Sequence, residues 1–190
     1  MNVSRLAIFA IAVLSVPVWA ADPQAKGIPN FHQVNEHIYR GGQPSPEGWT
    51  SLAKLGVGTV IDLRREDEHS SQAEAQAVEA AGMHYVNIPL HGVSAPPAEK
   101  IVQALALLNS PGAVFVHCKR GADRTGTVIA CYRIGHDHWD SSRALAEAKS
   151  YGMSIFQVGM KGYVKSFQPP AAQADASAKP VPLAPAAVLP

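Results

Sequence analysis

The residues best suited to chemistry stand in ten consecutive positions, His117-Cys118-Lys119-Arg120-Gly121-Ala122-Asp123-Arg124-Thr125-Gly126. Cleaving a phosphate ester through cysteine needs a thiolate, and a free thiol, with a pKa of about 8.5, is mostly protonated at neutral pH. A loop of backbone N–H groups running into a helix N-terminus supplies positive potential at the sulfur, and the same groups can hold phosphate oxygens. Gly121 lets such a loop curl back without a steric penalty. Arg124 offers a planar fork of donors for two oxygens and for the charge that grows during transfer. Five residues separate Cys118 from Arg124, so the backbone of Lys119, Arg120, Gly121, Ala122, Asp123 and Arg124 can wrap one phosphate. Thr125 is placed to donate its hydroxyl to the Cys118 sulfur as that sulfur leaves. His117 is expected to orient the loop by hydrogen bonds rather than to transfer a proton. A buried cysteine beside a helix cap is the plainer alternative, but it leaves Lys119, Arg120 and Arg124 crowding one loop unexplained.

The elements that must position this loop are short apolar runs alternating with helical patterns. His37–Arg40 reads as a strand, and Ser45-Pro46 as the cap and first position of a helix to about Leu55. Thr59–Leu63 is a β-branched strand, Ser71–Ala81 a helix ended by Gly82, and Tyr85–Leu90 a further strand. After the loop His91–Pro97 come a helix from Ala98 to Asn109 and the wholly apolar strand Ala113–Val116. That strand runs directly into the cysteine segment. Helices are predicted over Arg124–His136, Ser142–Ser150 and Ile155–Phe167, with Met153, Phe156 and Met160 as packing residues. Such alternation predicts an α/β fold with a central, mainly parallel β-sheet flanked by helices. In such sheets ligands bind beyond the carboxyl ends of the strands, where the cysteine loop falls. The charge run Arg64-Arg65-Glu66-Asp67-Glu68 reads as a solvated turn.

The two ends read differently from the middle. Residues 1–20 have the form of a signal peptide: Arg5, an apolar core from Leu6 to Val18, and the small residues Val18 and Ala20 before a cut after Ala20. That core, about 13 residues, is shorter than the roughly 20 needed to span a bilayer. Residues 168–190 are almost entirely Ala, Pro and Val, a composition expected to form a disordered tail. The folded domain is expected over residues 31–167. Sixteen basic residues face 15 acidic ones, which argues against a nucleic-acid-binding surface. Cys131, among Val128, Ile129 and Ile134, reads as core. Seven residues into a helix it stands roughly 10 Å along the axis at ~1.5 Å per residue, beyond disulfide reach of Cys118.

The segment from His117 to Gly126 resembles the signature loop of the protein tyrosine and dual-specificity phosphatase superfamily. Val34-Asn35-Glu36-His37-Ile38-Tyr39-Arg40-Gly41-Gly42-Gln43-Pro44-Ser45, followed by Thr59-Val60-Ile61-Asp62-Leu63-Arg64, is similar to the opening of its small bacterial and plant or fungal atypical dual-specificity members. The likeness covers roughly Phe31 to Phe167. It implies the cysteine-based phosphatase fold, a phosphocysteine intermediate, and neither metal nor cofactor. Arg40 and Asp62 recur in the family's pattern as structural partners near the site. Exported bacterial members act in the periplasm, which agrees with the signal segment. Contact with a membrane is then expected only in transit.

The sequence departs from the family at the general acid. The resemblance places an Asp in the loop before the signature strand, yet His91–Pro97 contains neither Asp nor Glu. Asp123, placed as in relatives with an Asp-Arg-Thr ending, is one substitute; His91 and Glu99 are others, and a reaction without a dedicated acid is a fourth possibility. Asp123 reads equally as a loop-stabilising carboxylate bonded to a backbone N–H or paired with Arg120. The expected substrate is a phosphorylated protein, first a phosphotyrosine, or a small phosphorylated molecule. Lys119 and Arg120 also suit an inositol phosphate or phosphoinositide headgroup. A sulfurtransferase of the rhodanese type lacks the Arg-Thr-Gly ending, and an inactive phosphate-binding module sits poorly with an intact Cys118 and Arg124.

Overall fold

A computed structural model describes residues 25–170, so the signal segment and residues 171–190 of the tail lie outside the described residues. Five strands form one sheet in the order β1-β2-β5-β3-β4. They are β1 His32–Gln33, β2 Ile38–Gly41, β3 Val57–Asp62, β4 His84–Asn87 and β5 Ala113–His117. Only β1 is antiparallel to its neighbour; β2, β5, β3 and β4 run parallel, as the alternation of strand and helix predicts. β5 is central and apolar on both faces because helices cover both.

On one face lie α1 (Pro46–Lys54) and α2 (Ser71–Ala80), closing a core of Trp49, Leu52, Val60, Val78 and Phe115. On the other lie α3 (Ala98–Leu108), α4 (Asp123–Gly135), α5 (Ser141–Ser150) and α6 (Val158–Ser166), around Ile61, Val116, Leu105, Ile129 and Leu145. Both cores and the partly buried residues packed on them lie between Ala25 and Phe167. Cys131 is fully buried in the larger core, both cysteines are free, and burial pushes the Cys131 thiol upward.

Three local expectations change. Ser45 does not cap α1 with its side chain; its carbonyl accepts from the Gly48 and Trp49 amides instead. Helix α6 starts at Val158 rather than Ile155, because Ser154 to Gln157 form a tight connection in which the Phe156 amide donates to Ser154 Oγ. Met153 and Met160 are buried as expected, but Phe156 is not packing: it is 83% exposed.

Candidate active site

Three adjacent parallel strands end on one edge of the sheet, and each delivers part of the site. β5 ends at His117 and hands the chain to Cys118; β2 ends at Gly41 beside Gly42; β3 ends at Asp62, ahead of Arg64 and a single 3₁₀ turn, Glu66–Glu68. The loop from Cys118 then enters α4, a helix of 13 residues whose N-terminus is aimed at the loop.

The loop's carbonyls are tied outward. Lys119 O accepts from the Gln43 amide (3.2 Å), Arg120 O from Asn30 Nδ2 (3.4 Å), and Gly121 O from Asn30 Nδ2 (3.1 Å) and an Arg40 terminal nitrogen (2.9 Å). In a trans peptide the N–H of the next residue points opposite the carbonyl. The amides of Arg120, Gly121 and Ala122 therefore face away from these donors, free to meet an anion. Gly121 adopts φ +70°, and a Cβ there would stand 2.5 Å from the Gly42 nitrogen. No other residue type fits this turn.

Arg40 is buried under the loop, its guanidinium 4.6 Å from the centre of the Tyr151 ring. Burial pushes its pKa down to about 10, against the opposing pull of Glu147, Tyr151 and Cys118. Cys118 is buried on the α4 side of the sheet. Arg124 is buried too, and one terminal nitrogen lies 2.6 Å from Glu68 Oε1 while the other lies 2.8 Å from Oε2. Leu63 O and Leu90 O accept longer contacts from the same guanidinium, at 3.5 and 3.4 Å. Burial alone would lower the Arg124 pKa; the Glu68 bonds and the Cys118 sulfur raise it.

Thr125 is fully buried, and its Oγ1 makes no hydrogen bond, so donation to the Cys118 sulfur is not made in this state. His117 points to the opposite face, stacked on Phe115 at 5.3 Å between ring centres, with Nε2 3.0 Å from Glu74 Oε1. Lys119 and Arg120 are exposed. Asp123 uses both carboxylate oxygens: Oδ1 accepts from the Ser154 amide at 2.8 Å, and Oδ2 pairs with Arg120. His91 is exposed with Nδ1 3.1 Å from an Arg65 nitrogen, and Glu99 is exposed in the first turn of α3.

The charge run after β3 is corrected most. Arg64 is buried and bridges Asp62 and Glu74; its Nε lies 3.0 Å from Asp62 Oδ1. Asp62 Oδ2 also accepts from Tyr85 Oη at 2.9 Å and lies 2.7 Å from His69 Nε2. Glu68 holds Arg124. Glu66, Asp67 and Glu68 are exposed and Arg65 is partly so, as the charge run predicted, but Glu68 is engaged as well as exposed. Glu68 and Glu74 are the partners that sequence reasoning missed. Nothing local in the sequence signals them, since Glu68 meets Arg124 only through the β5-β3 pairing and Glu74 comes from α2. Asp62, Glu74 and His117 bring potential ligand atoms within 4.8 Å of one another, the one such group among the described residues. Arg64 already spans the two carboxylates and supplies the positive charge they need.

A strand-loop-helix with outward-tied carbonyls, a buried cysteine and a clamped arginine can be compared with known proteins. The family model described as DSP-PTPase phosphatase fused to NAD+ kinase matches residues 23–166. The chain belongs to that family. The dual specificity protein phosphatase TpbA of Pseudomonas aeruginosa strain UCBPP-PA14 is 29% identical over 140 residues, covering 72% of this chain and 60% of TpbA. The inositol diphosphatase DSP3 of Arabidopsis thaliana is 31% identical over 112 residues, covering 55% of this chain and 53% of that protein. The chain thus spans less than two thirds of the length of either relative. The crystal structure of P. aeruginosa TpbA superposes with a TM-score of 0.66 at 25% identity, covering 86% of this chain and 98% of that one. The fold is that of the cysteine-based phosphatases.

Proposed function

We propose that the protein is an exported phosphatase that hydrolyses phosphate monoesters through Cys118, with residues 31–167 as its catalytic domain. The observation that carries the reading is the loop itself, whose carbonyls are tied outward while its amides, Arg124 and the start of α4 face the other way. The Cys118 sulfur attacks phosphorus, an S–P bond forms, and the bond to the leaving oxygen breaks. The amides and Arg124 hold the non-bridging oxygens and the charge that grows on them. Water then attacks phosphorus and the S–P bond breaks, releasing inorganic phosphate. The unpaired Thr125 hydroxyl is available to the departing sulfur. A cut after Ala20 and a periplasmic location are the reading that the signal segment supports.

Phosphotyrosine in a protein is the substrate proposed first, in keeping with the crystal structure of a P. aeruginosa TpbA variant in complex with pTyr. Lys119 and Arg120, both exposed beside the loop, favour an inositol phosphate as the second reading. Arg120 can leave Asp123 for such a substrate, and Asp123 Oδ2 then becomes free to carry a proton to the leaving oxygen.

Two variants test this. Cys118→Ser abolishes release of p-nitrophenol from p-nitrophenyl phosphate; unaltered turnover would end the proposal. Asp123→Asn leaves p-nitrophenyl phosphate, whose leaving group needs no proton, within about threefold, and slows phosphotyrosine about 100-fold or more. Equal losses on both substrates would reduce Asp123 to a loop support.

A further inference from the structure

Beside the catalytic loop the protein exposes apolar side chains that no element covers. Ile155, Phe156 and Val158 are 75%, 83% and 73% exposed, and Val93 is 76% exposed. They belong to two connected segments. Gln157 Nε2 donates to Gly92 O at 2.9 Å, and a Cβ on Gly159 would stand 2.7 Å from the Ala95 nitrogen. The same rim is tied to the catalytic loop by the Ser154 amide bond to Asp123 Oδ1 at 2.8 Å. Burying such side chains is worth much more than leaving them in water, so their clustering calls for an apolar partner.

The rim continues into charge. Val158 also lines an open groove between α5 and α6 of about 340 Å³, together with Lys149, Lys161 and Lys165, and none of its lining residues is acidic. Lys161 Nζ reaches back to the Ile155 carbonyl, joining groove and tip. The whole chain is nearly neutral, at a formal net charge of +1, so this concentration of one sign is local.

We propose that this rim docks the phosphatase on an anionic phospholipid surface. Ile155, Phe156, Val158 and Val93 enter the boundary between headgroups and acyl chains, and the three lysines meet lipid phosphates. Anionic lipid headgroups complement a lysine groove that holds no carboxylate. Docking in this way turns the Cys118 loop toward phosphate esters carried at the bilayer. It goes beyond the transient contact that an export segment implies. Among the described residues no helix is long and apolar enough to cross a membrane, and the contact is peripheral.

The test uses the chain from Ala21 onward, which keeps both cores and lacks the apolar leader. Cosedimentation with phosphatidylcholine vesicles is compared with vesicles that contain phosphatidylglycerol. The chain is expected to bind the anionic vesicles at least about tenfold better, and the Cys118→Ser variant to bind them equally. Phe156→Ser and the double change Lys161→Glu with Lys165→Glu each lower binding about tenfold or more, while hydrolysis of p-nitrophenyl phosphate in solution is unchanged. Absence of anionic-vesicle binding, or binding that neither variant lowers, overturns the proposal. Loss of turnover on an acidic phosphopeptide with vesicle binding intact would assign the rim to a protein partner and likewise overturn it. Because binding is read without catalysis, its failure is separable from failure of the phosphatase reading, which rests on Cys118→Ser in the soluble assay.

Discussion

Arg124 cannot hold itself in place. Its side chain is long, and burying a guanidinium costs several kcal/mol by an order-of-magnitude account unless a partner compensates. Glu68 supplies that partner with two bonds at 2.6 and 2.8 Å, and the Arg124 bond is the chief reason the Glu68 carboxyl sits below the ordinary carboxylate range. The fork that we propose grips phosphate is therefore oriented from a different strand's loop. Glu68→Ala is expected to lower kcat/KM for p-nitrophenyl phosphate by about 10- to 100-fold, the usual cost of a misplaced positioning group, with Glu68→Gln losing less. Steady-state kinetics decide: unchanged kcat/KM in Glu68→Ala would show that Arg124 is oriented by the loop alone.

The catalytic loop works as an element because its neighbours leave room for its backbone. Gly121 is the tightest point, with a left-handed φ and a Cβ position already filled by the Gly41–Gly42 backbone. Gly121→Ala must push two backbones apart. We expect a loss of at least about 2 kcal/mol in stability, larger than an exposed Gly-to-Ala change brings, and near-complete loss of turnover. Urea melts and the soluble assay report the two together. Behind the loop, Asp62 organises the start of the segment that follows β3: its carboxylate accepts from the Arg64 amide and side chain and from Tyr85. Asp62→Ala leaves Arg64 with one carboxylate in a buried setting and should cost about 3 to 5 kcal/mol, read as a shift in the urea midpoint.

At the scale of the whole molecule the carboxylates set the acid limit of stability. Burial pushes the Asp62 carboxyl up, but His117 and the charge and hydrogen bonds of Arg64 bring it below its ordinary value. Glu68 is depressed as well, through Arg124. Groups depressed in this way bind fewer protons folded than unfolded. Their contribution is complete above the unfolded carboxylate value of about 4 and is lost as pH falls through the depressed folded values. The urea midpoint should hold steady from pH 7 to about 5 and fall below about 4. A midpoint as high at pH 3 as at pH 7 would contradict this account.

How much of this was legible beforehand follows from the range of each interaction. The strand-loop-helix at Cys118, the parallel sheet and the core position of Cys131 follow from period, β-branching and local spacing, which act between near neighbours and are written in the chain. The run Arg64 to Glu68 looks like any solvated turn, because the partner of Glu68 lies 56 positions away and Glu74, which meets Arg64, lies on α2, and only the sheet order β5-β3 brings Glu68 to Arg124. Asp123 carried two readings for the same reason, and its engagement by Ser154 depends on where α5 returns the chain. Phe156 had a helical spacing that suited packing, yet it stands in the tight connection before α6, where its amide donates to Ser154 Oγ and its ring is left in solvent. By itself the sequence determined which residues could carry the chemistry and which strand must present them. The tertiary structure decided which distant carboxylates orient them and which apolar side chains remain uncovered, because both depend on the crossover connections that place one strand's loop beside another's.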